Sequence, residues 1–137
     1  MAHILVVGAT GQLGTRCVET ALAAGHRVRA LVRPGSRHAH LLREGIECVA
    51  GDLRDADSLV AACRGIDAVL ATATVVFPRG RYSFAQDEGR GYDNLLDACM
   101  QSAVGRFLFV SIAMPFTPDY LACVPTLRMK ARCEDST

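Results

Sequence analysis

The chain reads as an α/β domain built on a doubly wound parallel sheet. Three observations carry that reading: strand-length apolar runs recur at regular spacing, helical segments lie between them, and those segments end in glycine. The runs are HILVVG from His3, RVRALVR from Arg27, IECVAG from Ile46, DAVLATA from Asp67 and RFLFVSI from Arg106. They are apolar almost throughout instead of alternating, as expected of parallel strands covered by helices on both faces. Strand, helix, strand repeated along the chain gives an open sheet with helices above and below.

Each element has a local reason. In the first helical segment Cys17, Val18, Ala21 and Leu22 share a face, and in the last Tyr92, Leu95, Leu96, Cys99 and Ala103 do. The four segments close with LAAG at Gly25, LREG at Gly45, ACRG at Gly65 and SAVG at Gly105. Glycine just past the last turn takes the left-handed conformation that ends a helix. Asp55 is placed to cap the third segment, its carboxylate accepting from free N–H groups of the first turn. Two stretches are irregular, from about Val75 to Tyr82 and from Met114 to Pro125; there is no low-complexity segment or linker.

Composition narrows the partners. At 137 residues, with 50% hydrophobic residues, 21% charged ones and a net charge of +1, the chain is an ordinary globular domain. That balance gives no reason to expect nucleic acid or a membrane surface as the main partner. No apolar run approaches the roughly 20 residues of a membrane span, and no secretory leader is expected before the first strand. Six cysteines (17, 48, 63, 99, 123 and 133) include no close pair, so neither a disulfide framework nor a zinc site is expected. His38 and His40 would point apart on a helix. A cytoplasmic location is the expectation.

The segment GATGQLG, residues 8–14, stands between the first strand and the first helix. Gly8 permits the tight turn, Gly11 lets a pyrophosphate approach the backbone, and Gly14 allows close helix packing. The helix N-terminus offers N–H groups and the positive end of its dipole to an anion, and Thr10 adds a hydroxyl. No GK[ST] follows, which excludes a Walker loop.

With LVRPGS, GIECVAGDLRDADSLVAACRGIDAVLATAT and NLLDACMQSAVGRFLFVSI, this loop resembles the NmrA-like group from His3 to about Lys130. These are NAD(P)H-binding members of the atypical short-chain dehydrogenase/reductase superfamily. The resemblance implies a Rossmann fold with about five strands in the order 3-2-1-4-5, a nicotinamide cofactor, and either reductase activity or redox-sensing regulation. It assigns Gly8, Thr10, Gly11, Gln12, Leu13 and Gly14 to the pyrophosphate and Arg33 to the adenosine ribose. Asp52 and Leu53 fall beside the adenine, and Ala71, Thr72 and Ala73 beside the nicotinamide ribose. Ser111 matches the serine after the fifth strand, and Lys130 the lysine of the active-site helix, so these two are the catalytic candidates.

The cofactor expected is NADP(H) rather than NAD(H). An NAD site commonly places a carboxylate after the second strand for the 2′-hydroxyl, whereas RALVRPGSRH offers Arg33 and Arg37 and no acid. Guanidinium groups suit a 2′-phosphate. The superfamily's tyrosine, four residues before the lysine, is replaced by Thr126, so the Ser–Tyr–Lys proton relay is not expected. Hydride transfer itself needs only nicotinamide and an aligned acceptor, such as a quinone. Arg79 and Tyr82 are candidates for touching that acceptor.

The chain stops at KARCEDST, inside an expected helix, and reads either as a fragment lacking its substrate region or as a pared-down nucleotide module. RFLFVSI would then lie at the sheet edge and support a homodimer or aggregation. Two functions stay open: an NADPH-dependent reductase acting on a small acceptor, and a non-enzymatic NADP(H) redox sensor reporting to a protein partner.

Overall fold

The structure is a computed structural model and describes residues 1–73 and 90–111. The strands are β1 (His3–Val7), β2 (Arg27–Val32), β3 (Ile46–Ala50), β4 (Ala68–Ala71) and β5 (Arg106–Phe109). All pair in parallel, in the order β3-β2-β1-β4-β5, as the resemblance implied. The register sets Val7 opposite Leu31 and Ala71, Val32 opposite Ala50, and Ala71 opposite Phe109. Every strand therefore ends at one edge of the sheet, where open α/β folds hold their ligands.

Helices α1 (Gln12–Ala23), α2 (Ala56–Cys63) and α3 (Arg90–Gln101) join them. Successive β1 residues face opposite sides, which explains the unbroken apolar runs. Leu5 and Val7, with Leu31, Val69 and Ala71, pack against Leu59 and Cys63 of α2 and Tyr92, Leu95 and Cys99 of α3. Val6, with Val28, Ala30 and Val32, packs on the other face against Val18 of α1 and Leu41. None of the described helices is long and apolar enough to cross a membrane.

Two helix ends differ from the sequence expectation. The segment closed by Gly45 forms only a short 3₁₀ turn, Ala39–Leu41. Pro34 and Gly35, the latter at φ +81°, turn the chain directly after β2. Leu41 is the one buried residue of this crossover. α3 ends at Gln101, and the left-handed residue beyond it is Ala103, at φ +53°, where Gly105 was expected. The amides of Ala103 and Val104 bond back to Met100 and Cys99, so the left-handed position falls two residues early. Gly105 instead donates its N–H to Asp67 O at 3.1 Å, leading into β5. Ala98, not Ala103, completes the buried face of α3.

Candidate functional site

Gly8 follows β1 at φ +91°, and a Cβ there would lie 2.6 Å from the Ala73 nitrogen. Both conformation and space demand glycine. The Gly11 amide closes the turn onto Gly8 O at 3.1 Å. Gly14, in the first turn of α1, faces that same Gly8 carbonyl, and a Cβ would run into its oxygen. The close packing expected of the third glycine is thus packing of helix on loop, not of helix on sheet. Gly11 is different: a Cβ there would meet only Gly8 O, at 3.5 Å. Its outer side is open.

The two helix N-termini at this edge contrast. At α2, the Asp55 side chain accepts from Ser58 N and Asp57 sits in the first turn. At α1, Gly11 is the cap, no side chain bonds the first turn, and no acid lies in it. Beside this start lies an open groove of about 730 Å³ lined by Thr10, Gly11, Gln12, Leu13, Thr15, Arg16 and Glu19, and the uncapped N–H groups and dipole favour an anion at the helix start. A glycine cradle at an uncapped helix start fits an anion such as pyrophosphate. Thr15 Oγ1 donates to Ala9 O at 3.0 Å, so its contact with His40 Nε2 at 3.2 Å makes that ring nitrogen the donor.

The next stretch of the edge lies beyond β2 and β3. Arg33 is the exposed first residue after β2, and Ser36 bonds back to its carbonyl through N–H (3.0 Å) and hydroxyl (2.7 Å). Arg37 follows in the same exposed loop. The Gly51 amide donates to Val32 O at 3.0 Å, which brings Asp52 level with the start of that loop. The Asp52 amide donates to Ser58 Oγ at 3.1 Å, and the Leu53 carbonyl accepts from Asn94 Nδ2 at 2.9 Å. Arg54 grips the Asp52 carboxylate with Nη2 at 2.7 Å and Nε at 3.1 Å, and with its own amide at 2.9 Å. These bonds hold the Asp52 carboxyl below the usual carboxylate range against the opposing effect of burial, and the Arg33 charge adds to them. Sequence reasoning placed Asp52 and Leu53 but missed Ser58, Arg54 and Asn94. The Asp-x-Arg spacing could have signalled Arg54; no local pattern signals Asn94, whose partner is 41 residues away.

Beyond β4, Thr72 donates its backbone N–H to Val7 O at 2.8 Å and its hydroxyl to the Val7 and Gly8 carbonyls at 3.1 and 3.4 Å. Its side chain braces the glycine loop. Buried Tyr92 donates to Ala73 O at 2.5 Å and meets Phe109 edge-on, ring centres 5.2 Å apart. Ser111, two residues past β5, has an enclosed hydroxyl with no hydrogen-bond partner among the described residues. Gly8 to Gly14, Arg33, Arg37, Asp52, Leu53, Ala71 to Ala73 and Ser111 thus share one edge of the sheet. Lys130, Thr126, Arg79 and Tyr82 lie outside the described residues.

Sheet order and glycine loop together define a nucleotide-binding Rossmann domain. Residues 8–120 match the family model described as NAD(P)H-binding, and the chain belongs to that family, among the NmrA-like atypical short-chain dehydrogenases/reductases. It is 36% identical over 134 residues to the photosystem II assembly factor Ycf39 of Cyanophora paradoxa, covering 96% of this chain and 40% of that protein. It is also 36% identical over 121 residues to the 3β-hydroxysteroid dehydrogenase/Δ5→4-isomerase of Mycobacterium tuberculosis, covering 81% of this chain and 32% of that protein. Among solved structures, uronate dehydrogenase from Agrobacterium tumefaciens superposes with a TM-score of 0.76 at 25% identity, over 99% of this chain and 54% of that one. A variant of that enzyme was solved in complex with NAD. The chain spans less than half the length of both curated relatives.

Proposed function

We propose that the chain binds NADPH across the ends of its strands and that its parent chemistry is hydride transfer to a small acceptor such as a quinone. The observation that carries the cofactor preference is Arg33 directly after β2, with no carboxylate from there through His38. A 2′-phosphate there would meet guanidinium groups, and a 2′-hydroxyl would lack its usual acidic acceptor. The dehydrogenase names among the relatives support the redox class.

When bound, NADPH supplies the hydride. The chain's own groups position it: the uncapped start of α1 for the pyrophosphate, Arg33 and Arg37 for the 2′-phosphate, and Asp52 with Leu53 for the adenine. The Ser111 hydroxyl, enclosed beyond β5, suits a polar group of the acceptor, and Lys130 is assigned to the nicotinamide ribose. Thr126 is too weak an acid to replace a phenol, so water or a loop residue supplies the proton.

Titration with NADPH, NADH and NADP⁺, alongside NADPH consumption with quinones, tests the reading. Losing a charge-assisted contact costs about ten- to hundredfold in affinity. Arg33→Ala should weaken NADPH by that factor and leave NADH nearly unchanged. Equal losses for both cofactors would remove the 2′-phosphate from this position.

A further inference from the structure

Helices α2 and α3 carry the same pattern, leucine-x-x-alanine-cysteine: Leu59, Ala62 and Cys63 in one, Leu95, Ala98 and Cys99 in the other. All six are buried, and their spacing puts each trio on one helix face. Both helices join parallel strands, β3 to β4 and β4 to β5, so they run the same way along the sheet. Their two faces meet in a single core cluster, where the small alanines allow close approach. Cys63 and Cys99 therefore stand at matching levels, and the Cys99 thiol donates a hydrogen bond to Cys63.

The two sulfurs have different surroundings. Arg29 Nη1 donates to the Ala62 and Arg64 carbonyls at 2.8 and 2.7 Å, on either side of Cys63. The Cys99 hydrogen bond above all, and the Arg29 charge with it, hold the Cys63 thiol below its usual range against burial. Cys99 is pushed the other way, by donating to Cys63 and by burial. One sulfur is the better nucleophile, and its neighbour keeps its proton. Cys63 is also the last residue of α2, followed by exposed Arg64 and Gly65, and helix ends open by fraying. A peroxide has that route to the thiol.

We propose that Cys63 and Cys99 are a peroxide-reactive thiol pair, in which Cys63 attacks, Cys99 resolves, and the disulfide formed links α2 to α3. Cys63 sulfur bonds to one peroxide oxygen and the O–O bond breaks. The departing hydroxide takes the Cys63 proton and leaves as water, and Cys63 is now a sulfenic acid. Cys99 sulfur then bonds to Cys63 sulfur, the S–O bond breaks, and the hydroxide leaves as water with the Cys99 proton. Two thiols lose two electrons, and one hydrogen peroxide becomes two waters. A dithiol reverses the link by exchange. The pair stands apart from the cofactor assignments and does not depend on them.

The test treats the full chain with hydrogen peroxide in native buffer, blocks remaining thiols with N-ethylmaleimide, and maps unreduced peptides by mass spectrometry. A peptide joining Cys63 to Cys99, released by dithiothreitol, is the expected result. In Cys99→Ser, dimedone should trap a sulfenic acid at Cys63. In Cys63→Ser, trapping at Cys99 should be slower by about tenfold or more. Oxidation confined to the other cysteines, or a Cys63–Cys99 link that forms only in denaturant, would overturn the proposal. So would equal trapping rates in the two variants. Should the serine variants fail to fold, the wild-type map decides alone: the native link supports the pair, and its absence refutes it.

Discussion

Gly11 and Gly14 lie in one loop yet tolerate a side chain very differently. A methyl group on Gly14 would enter the Gly8 carbonyl, whereas on Gly11 it would reach only ordinary contact distance. Gly14→Ala should therefore cost about 1–3 kcal/mol of stability through overpacking, seen as a lower melting temperature. Gly11→Ala should melt close to wild type and still lose NADPH affinity, because its methyl stands where the pyrophosphate is expected. Normal NADPH binding by Gly11→Ala would move the phosphate elsewhere. Asp52 gives a second residue-scale expectation. Its folded-state pKa lies below the ordinary value, chiefly through Arg54, so its contribution is present above the ordinary carboxylate range and is lost as pH falls through the folded value. Arg54→Gln should shift acid unfolding, followed by circular dichroism, toward higher pH. The glycines were legible in the sequence because a left-handed turn and a close approach are local demands that one residue type meets. Arg54, Ser58 and Asn94 were not, because polar residues near a turn are common and only the folded chain shows which acceptor each reaches.

At the scale of elements, α3 joins the core to the site. Tyr92 is 1% exposed, its ring packs edge-on against Phe109 of β5, and its hydroxyl holds the Ala73 carbonyl just past β4. Two residues on, Asn94 holds Leu53. Tyr92→Phe keeps the ring and removes one buried hydrogen bond, so the expected loss is about 0.5–1.5 kcal/mol by denaturant unfolding. A change within error would mean that the Ala73 carbonyl finds another donor. The helical period marked Tyr92 as core, and it could not show that its hydroxyl serves the site edge. The same limit explains the crossover between β2 and β3. A glycine and an apolar leucine mimic a helix end, but the segment between Gly35 and Gly45 buries Leu41 and no other residue, so no helical apolar face holds it to the sheet.

For the whole molecule, sheet order decides which strand meets the outside. Parallel pairing and a right-handed crossover preference restrict a β-α repeat to few topologies, which is why the order could be anticipated from the motif. That order puts β5 next to β4 alone among the described strands. Leu108 of β5 is 46% exposed, and RFLF carries no proline and no charge beyond Arg106 at its start to discourage a second chain. Cofactor assignments, by contrast, lie mostly between Gly8 and Ala73, away from that edge. We therefore expect cofactor binding and self-association to be separable. In multi-angle light scattering, the chain should show mass above the monomer that rises with concentration, and Leu108→Lys should return it toward the monomer by placing a charge inside the pairing strand, beyond Arg106 at its start. The NADPH dissociation constant of Leu108→Lys should stay within about twofold of wild type, since one surface substitution away from a site usually changes free energy by under about 0.5 kcal/mol. A monomer at every concentration would rule out pairing through β5. Loss of NADPH binding together with the larger species would show instead that a second copy completes the cofactor site.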